Sequence, residues 1–126
     1  MTVTGIGLDL LEVARMERAL HRRPALARRL FSEAEIAYAE ARVRPATHLA
    51  ARFCAKEAAV KALGLEVWSY RDVEVVPGKA GPRLALGGGV ADRARSLGVE
   101  VVVSLTHDRS IAGATALLVP AAEDSA

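Results

Sequence analysis

Three segments of this chain hold side chains that could do chemistry on a phosphate-bearing molecule. Asp9 follows the apolar run of residues 2–8, where a carboxylate costs free energy unless it is paired or binds a metal. Glu57 and Lys61 lie four residues apart in an alanine-rich helical segment, so they share one helix face. A carboxylate that holds a cation, beside an ammonium that neutralises phosphate oxygens, suits a metal-bound diphosphate. In the third segment, residues 103–108, an apolar strand pattern ends in polar residues.

Each segment also has an ordinary structural interpretation. Asp9 could cap the helix that follows it, and Glu57 with Lys61 could form a surface ion pair of little value to stability. The third segment could be a plain hairpin turn. Ser104 and His107 are close in sequence, but that closeness does not establish the geometry of a nucleophilic triad.

Composition and spacing exclude several other classes of protein. Leu10 stands where the dinucleotide-binding fingerprint needs its third glycine, there is no Walker loop, and no cysteine or histidine spacing suits zinc. No apolar run approaches the roughly 20 residues of a membrane helix, so no membrane association is expected. Asp9 interrupts the apolar N-terminus, which argues against a signal peptide. The single cysteine, Cys54, cannot form an internal disulfide, which fits a cytoplasmic location.

Hydrophobic spacing predicts the elements that carry the first segment. Residues 2–8 are expected to form a strand and residues 11–22 a helix, because Val13, Met16 and Leu20 recur at helical spacing. The formal net charge is only +2, yet arginines crowd this helix and the residues after it, which favours an acidic or phosphorylated partner. Three of them, expected to face outward, form what we call the arginine stripe: Arg15, Arg18 and Arg22.

The rest of the chain predicts a single α+β domain. Ser32 followed by Glu35 is a capping-box pattern, which indicates a second helix that ends near residue 42. The other predicted elements are a third helix, capped by Thr47 after Pro45 and ended by Gly64, strands 72–76 and 83–86, a helix over 90–97, and a hairpin of strands 100–105 and 111–119. This β-α-α-α-β-β-α-β-β order predicts a mainly antiparallel sheet packed against helices over residues 1–119, with residues 120–126 as a disordered tail.

Taken together, the segments resemble the holo-acyl-carrier-protein synthase family of phosphopantetheinyl transferases. GIGLDLLEVAR is similar to that family's G-[IV]-G-x-D-[IL]-x-E-[IV]-x-R signature, and RFCAKEAAVKALG is similar to R-F-x-x-K-E-A-x-x-K-A-[LF]-G. VVVSLTH resembles the closing V-S-[LI]-[ST]-H segment, and DVEVVPGKAGPRL resembles the stretch before it. The resemblance extends from about Gly5 to Leu118. Leu8, Met16 and the turn at residues 79–82 depart mildly from the family pattern.

The resemblance implies that the chain transfers phosphopantetheine from coenzyme A to a serine of an apo-acyl carrier protein and releases adenosine 3′,5′-bisphosphate. Asp9 and Glu57 match the family's Mg²⁺ ligands, and they are the expected catalytic residues together with Lys61, which matches a diphosphate contact. A metal-bound water relayed by either carboxylate is the preferred general base, and direct abstraction by Glu57 is the alternative. The resemblance also implies a homotrimer with the coenzyme site between protomers.

Further contacts follow from the same resemblance. Arg15 matches the family's carrier-recognition arginine, so the arginine stripe is expected to dock an acidic helix of the carrier; no motif supports nucleic acid as the partner. The residues expected to bind coenzyme A are Arg52, Lys56, Lys61, Gly81, Pro82, Ser104 and His107. The alternative function is a non-catalytic homologue that binds only the carrier protein or coenzyme A.

Overall fold

The computed structural model describes residues 2–122, which fold into five strands and five α-helices. A single 3-10 turn, Tyr70–Asp72, precedes the second strand. The elements in chain order are β1 (Gly5–Glu12), α1 (Val13–Arg22), α2 (Leu26–Leu30), α3 (Glu33–Glu40), α4 (Pro45–Leu63), β2 (Val73–Val76), β3 (Arg83–Leu86), α5 (Gly88–Leu97), β4 (Val99–His107) and β5 (Ile111–Pro120).

The strands form two antiparallel sheets, which confirms the predicted α+β class. The larger sheet has the order β1-β5-β4, so the chain's first strand lies beside its last strand. The smaller sheet is the β2–β3 hairpin. The register places Asp9 opposite Ala114 of β5, and Ala114 lies opposite Leu105 of β4. Asp9 therefore points to the same face of the sheet as the buried core residues of β5.

Helix α4 packs across this inner face of the sheet at short range. Its buried side is mostly alanine, and the buried residues Cys54, Ala55, Ala58 and Ala59 form one core cluster with residues of β5. On β1, a Cβ atom added to Gly7 would lie 1.9 Å from the carbonyl oxygen of Ala58. The absence of a side chain at Gly7 therefore sets how closely β1 approaches α4.

Several predicted boundaries are wrong near the N-terminus. The first strand runs from Gly5 to Glu12 instead of over residues 2–8, because its pairing with β5 continues through the whole strand. Asp9 thus lies inside the strand and does not cap α1, whose N-cap residue, Glu12, forms no side-chain cap bond. The five-residue helix α2 was not predicted, because so short a helix shows little periodicity.

The start of α4 also differs from the prediction. Pro45 occupies the first turn of the helix instead of interrupting the chain before it, since its missing N–H and fixed φ suit that position. Arg44 is the N-cap residue, and Thr47, the predicted cap, is buried inside the helix. The helix ends at Gly64 in the left-handed conformation, as predicted.

The other elements lie within two residues of their predicted bounds. The capping box of Ser32 and Glu35 is present in both directions at the start of α3. Strand β5 includes Pro120, the first residue of the predicted tail, and residues 123–126 of that tail lie outside the described residues. None of the helices within residues 2–122 has the length and apolar character needed to cross a membrane.

The face of the larger sheet that points away from α4 is unusually apolar. Ile6, Leu8 and Leu10 of the edge strand β1 are 68%, 57% and 61% exposed, and Val102 of β4 is 50% exposed. On a sheet with one face in water, the residues that point to that face are usually polar. We call these four residues the outer apolar face.

Candidate active site

Asp9 and Lys61 come together at the edge where β1 crosses α4. Lys61 Nζ donates to Asp9 Oδ1 at 2.9 Å and to the carbonyl oxygen of Leu8 at 3.1 Å. The Asp9 side chain is only 17% exposed, whereas that of Lys61 is 53% exposed. The hydrogen bond that Lys61 donates to Asp9 raises the pKa of Lys61, and the charges of Asp9 and Glu57 act in the same direction, so the ammonium stays protonated.

Glu57 lies one helical turn before Lys61 but does not pair with it. Instead, Glu57 Oε1 accepts a hydrogen bond from the hydroxyl of Tyr70 at 2.5 Å. The surface ion pair between Glu57 and Lys61, which the spacing allowed, is not formed because Lys61 reaches β1. Burial and the hydrogen bond to Glu57 raise the pKa of Tyr70 well above its ordinary value, so its hydroxyl remains a donor.

Asp9 and Glu57 line one cavity of about 350 Å³, together with Arg15 and apolar residues of α1, α2 and α4. Within residues 2–122 no group of three or more His, Cys, Asp or Glu side chains could hold a metal ion. Two carboxylates fit Mg²⁺, which binds proteins through one or two carboxylates and completes its shell with waters and phosphate oxygens. Asp9 Oδ2 and Glu57 Oε2 form no hydrogen bond with another described residue, so each can serve as a ligand.

Cys54 lies near these carboxylates, and its burial makes the thiol unreactive. The side chain is fully buried, and its thiol lies 3.7 Å from the carbonyl oxygen of Ala112. Burial, followed by the charge of the nearby Asp9, raises the pKa of the thiol to about 12. Cys54 is therefore a protonated core residue and takes no part as a nucleophile.

Lys56, a predicted coenzyme contact, is instead part of the protein interior. Its side chain is 1% exposed and pairs with Glu35 at 2.8 Å. Lys56 Nζ also donates to the carbonyl oxygens of Leu30 and Tyr70, at 2.8 and 3.2 Å. These three acceptors use all the donors of the ammonium, so its position does not support contact with a substrate phosphate. The remaining oxygen of Glu35 accepts from the backbone N–H of Val75, which ties α3 and α4 to β2.

His107 and Arg52, two other predicted coenzyme contacts, belong to a basic and aromatic cluster at the N-terminal half of α4. The rings of His107 and His48 meet edge to face at 5.1 Å. The guanidinium groups of Arg52 and Arg42 lie 3.8 and 3.3 Å from the centre of the Tyr38 ring. Arg52 Nε is buried and has no hydrogen-bond partner among residues 2–122.

Positive charge is concentrated in this cluster. Burial lowers the pKa of His48, and the charges of His107, Arg52 and Arg42 lower it further, in that order. An anion bound beside these groups would reduce their mutual repulsion. His48 and Arg42 were not among the predicted contacts. His48 lies four residues before Arg52 on one helix face, and that spacing could have indicated it.

Ser104, Gly81 and Pro82 lie away from the carboxylates. Ser104 is exposed, and its pairing with Thr115 places it on the face of the sheet opposite to that of Asp9. His107 lies on the same face as Asp9. A Ser104–His107 dyad is therefore not formed within one chain. Gly81 and Pro82 lie in the β2–β3 turn, where Pro82 lines a groove along the outer edge of β4.

The arginine stripe is exposed along α1, as predicted. Arg15 lines the cavity of Asp9 and Glu57, and Arg18 and Arg22 continue from it along the solvent side of the helix. Val13 and Met16 are buried on the opposite side. The stripe thus begins at the cavity and continues along the exposed side of α1.

The chain matches the family model of the 4′-phosphopantetheinyl transferase superfamily over residues 5–112. It is 49% identical over 122 residues to the holo-[acyl-carrier-protein] synthase of Anaeromyxobacter sp. (strain K), covering 92% of this chain and 95% of that protein. It is 46% identical over 116 residues to the holo-[acyl-carrier-protein] synthase of Moorella thermoacetica, covering 89% and 91%.

The fold is similar to that of a solved relative. The holo-(acyl-carrier-protein) synthase of Bacillus anthracis, in complex with CoA (3′,5′-ADP), aligns with a TM-score of 0.75 at 29% identity and covers 94% of this chain and 97% of its own. The matched span includes Asp9, Glu57, Lys61 and His107. The chain belongs to the 4′-phosphopantetheinyl transferase superfamily and, within it, to the holo-[acyl-carrier-protein] synthases.

Proposed function

We propose that this chain transfers the 4′-phosphopantetheine group of coenzyme A to a serine of an apo-acyl carrier protein and releases adenosine 3′,5′-bisphosphate. The serine oxygen forms a bond to the β-phosphorus, and the bond from that phosphorus to the bridging oxygen of the diphosphate breaks. The serine proton passes to Glu57 or Asp9, directly or through a water. The observation that carries the proposal is the cavity that Asp9, Glu57 and Arg15 line together, with Lys61 hydrogen-bonded to Asp9.

The charges of this cavity suit a diphosphate group. Mg²⁺ held by Asp9 and Glu57 would supply charge neutralisation at the diphosphate. Lys61 is half-exposed and protonated, so its ammonium can donate to a phosphate oxygen while it remains near Asp9. Stabilisation of the charge that develops on the leaving group is the main catalytic contribution expected of such a cation.

The cluster of His107, Arg52, His48 and Arg42 is proposed to bind a phosphate of coenzyme A. Arg52 is 7% exposed with its guanidinium over the Tyr38 ring, whereas His107 and Arg42 are exposed, so a phosphate can reach them. A planar guanidinium beside imidazole donors is well suited to phosphate oxygens. Lys56 is not included, because its donors are used by Glu35 and two carbonyl oxygens.

The arginine stripe is proposed to dock the carrier protein. It begins at the cavity with Arg15 and continues along α1 in solvent, so an acidic helix lying on it would bring a neighbouring serine to the carboxylates. Complementary charge on two such surfaces raises the rate of association and fixes the orientation of the partner.

We also propose that the enzyme is a cytoplasmic homotrimer whose coenzyme site is completed between protomers. The outer apolar face, Ile6, Leu8, Leu10 and Val102, is the kind of surface that another copy would cover. Ser104 lies on this side of the sheet, whereas Asp9 lies on the other. One coenzyme molecule could contact both groups if each came from a different protomer.

Mass measurement of the carrier protein tests the activity. The chain is incubated with coenzyme A, Mg²⁺ and a panel of apo-carrier proteins, and the products are weighed. A gain by the carrier equal to the phosphopantetheine group is the expected result. Asp9→Asn and Glu57→Gln should each reduce the rate by about 100-fold or more, because each removes a charged ligand of the metal.

Two results would contradict these proposals. If no carrier gains mass while coenzyme A still raises the melting temperature of the chain, the alternative of a non-catalytic coenzyme-binding homologue is correct. If the Asp9→Asn variant remains folded and transfers the group at the wild-type rate under limiting Mg²⁺, the metal assignment is wrong.

A further inference from the structure

The hydroxyl of Tyr70 makes a close contact with the proposed metal ligand Glu57. It donates to Glu57 Oε1 at 2.5 Å. The Glu57 side chain forms no other hydrogen bond with residues 2–122. The other carboxylate of the pair, Asp9, is held by Lys61. Each of the two carboxylates therefore has one oxygen engaged by a donor and one oxygen left for a cation.

The ring of Tyr70 is fixed by packing. It stacks on Phe53 with a centroid distance of 5.6 Å and an interplanar angle of 19°. The centroid of the Trp68 ring lies 4.2 Å from that of Tyr70. Phe53 belongs to the same helix as Glu57, one turn earlier, so the stacking links the tyrosine to the helix that carries the carboxylate. A ring held on two sides places its hydroxyl at one point.

The backbone of Tyr70 is fixed as well. Its carbonyl oxygen accepts a hydrogen bond from Lys56 Nζ at 3.2 Å, and Lys56 is itself anchored by Glu35 in a fully buried ion pair. Lys56 immediately precedes Glu57 on α4. Consecutive residues of one helix thus hold the two ends of Tyr70, the first at its carbonyl and the second at its hydroxyl.

We infer that Tyr70 is a positioning residue that holds Glu57 Oε1 and leaves Oε2 as the oxygen that binds the cation. This inference rests on the proposed function, because it assumes the metal site of Asp9 and Glu57. A free glutamate loses side-chain freedom when it binds a metal, and the hydroxyl of Tyr70 removes part of that freedom in advance. Hydrogen bonds to metal-ligating side chains commonly change metal affinity by about 10-fold to 100-fold.

The test measures metal binding without turnover. Mn²⁺ is titrated into the protein in the presence of coenzyme A and in the absence of any carrier protein, and free Mn²⁺ is followed by electron paramagnetic resonance. Tyr70→Phe keeps the stacked ring and removes only the hydroxyl. We expect it to weaken Mn²⁺ binding by about 10-fold. In the transfer assay, raised Mg²⁺ should restore the kcat of this variant but not that of Glu57→Gln.

Ser69→Ala is the matched control. Ser69 lies next to Tyr70, and its hydroxyl caps the 3-10 turn by accepting from the N–H of Arg71. The variant therefore removes a hydroxyl and loosens the same turn without touching Glu57. It should bind Mn²⁺ as the wild type does, and the melting temperatures of both variants show whether they fold.

Three results are distinguishable. Mn²⁺ affinity of Tyr70→Phe within twofold of the wild type overturns the inference and leaves the proposed function intact. An equal loss in Tyr70→Phe and Ser69→Ala also overturns it, because the turn and not the hydroxyl would then matter. If Asp9→Asn binds Mn²⁺ as tightly as the wild type, the metal site itself is wrong, and with it the inference.

Discussion

Lys56 and Lys61 belong to the same helix, yet their surroundings are opposite. Lys56 is 1% exposed and pairs with Glu35, whereas Lys61 is 53% exposed and reaches Asp9 on β1. Desolvation lowers the pKa of Lys56, although the charge of Glu35 opposes this effect, and the carboxylate beside Lys61 raises its pKa. The same residue type therefore serves the core at one position and remains available to a substrate at the other.

Replacement of Lys61 by alanine should reduce kcat/KM by about 10²-fold to 10³-fold, because it removes the ammonium proposed to stabilise the charge on the departing adenosine 3′,5′-bisphosphate. Lys61→Arg keeps a positive charge and should retain more activity than Lys61→Ala. Steady-state kinetics with coenzyme A and a carrier protein measure both variants. An unchanged kcat/KM in Lys61→Ala would mean that Lys61 is only the partner of Asp9.

The contact between β1 and α4 brings the proposed catalytic residues together. Asp9 comes from the strand, and Glu57 and Lys61 come from the helix. Their approach depends on Gly7, where a Cβ atom would collide with the backbone of Ala58, and on the alanines that cover the facing side of the helix. Small residues at this contact therefore determine the distance across which Lys61 must reach.

Gly7→Ala should lower the free energy of unfolding by about 3 kcal/mol or more, since the 1.9 Å approach can be relieved only by moving backbone. Gly89→Ala is the control, because no atom lies within 4 Å of the added Cβ at that helical position. That variant should be neutral or slightly more stable. Urea denaturation measures both, and equal stability of Gly7→Ala and the wild type would show that β1 and α4 can separate freely.

On the scale of the whole molecule, the two faces of the larger sheet have different partners. The inner face packs on α4 and carries Asp9. The outer apolar face is exposed in a single chain, and it lies on the same side as Ser104. A molecule with its carboxylates on one side and part of its predicted coenzyme contacts on the other favours a site shared between copies.

Leu8→Asp should convert the proposed trimer into monomers, because three symmetry-related carboxylates would be buried without partners. Val43→Asp is the control, since Val43 is fully exposed on the connection between α3 and α4 and is not part of the outer apolar face. Analytical ultracentrifugation measures the mass of each. A monomeric wild type, or a trimeric Leu8→Asp variant, would contradict the proposed assembly.

Arg15→Glu should raise KM for the carrier protein by about 10-fold or more and change KM for coenzyme A much less. The reversal replaces an attraction at the mouth of the cavity with a like-charge contact. Added salt should also weaken carrier binding by the wild type, because exposed charges are screened over roughly 10 Å at 0.1 M. If neither the Arg15→Glu substitution nor added salt changes carrier affinity, the arginine stripe is only a solvated helix face.

The sequence by itself determined the fold class, most of the elements and the family, because these depend on local patterns. Period-3.6 and period-2 spacing, the capping box at Ser32 and the glycine at the end of α4 all act within a few neighbouring residues. The residue types of Asp9, Glu57 and Lys61, in their order along the chain, were enough to indicate chemistry on a diphosphate. The length of the first strand was missed, since it is set by pairing with β5, about a hundred residues away in the sequence.

Only the tertiary structure decided which side chains are free to act. The sequence allowed Lys56 and Lys61 the same role, but burial against Glu35 uses the donors of one, and the approach of β1 draws the other to Asp9. The contact of Tyr70 with Glu57 has no sequence signal, because it joins a short irregular turn to a helix through packing on Phe53. Partners, exposure and charge environment arise from contacts between distant segments, and local spacing carries no information about them.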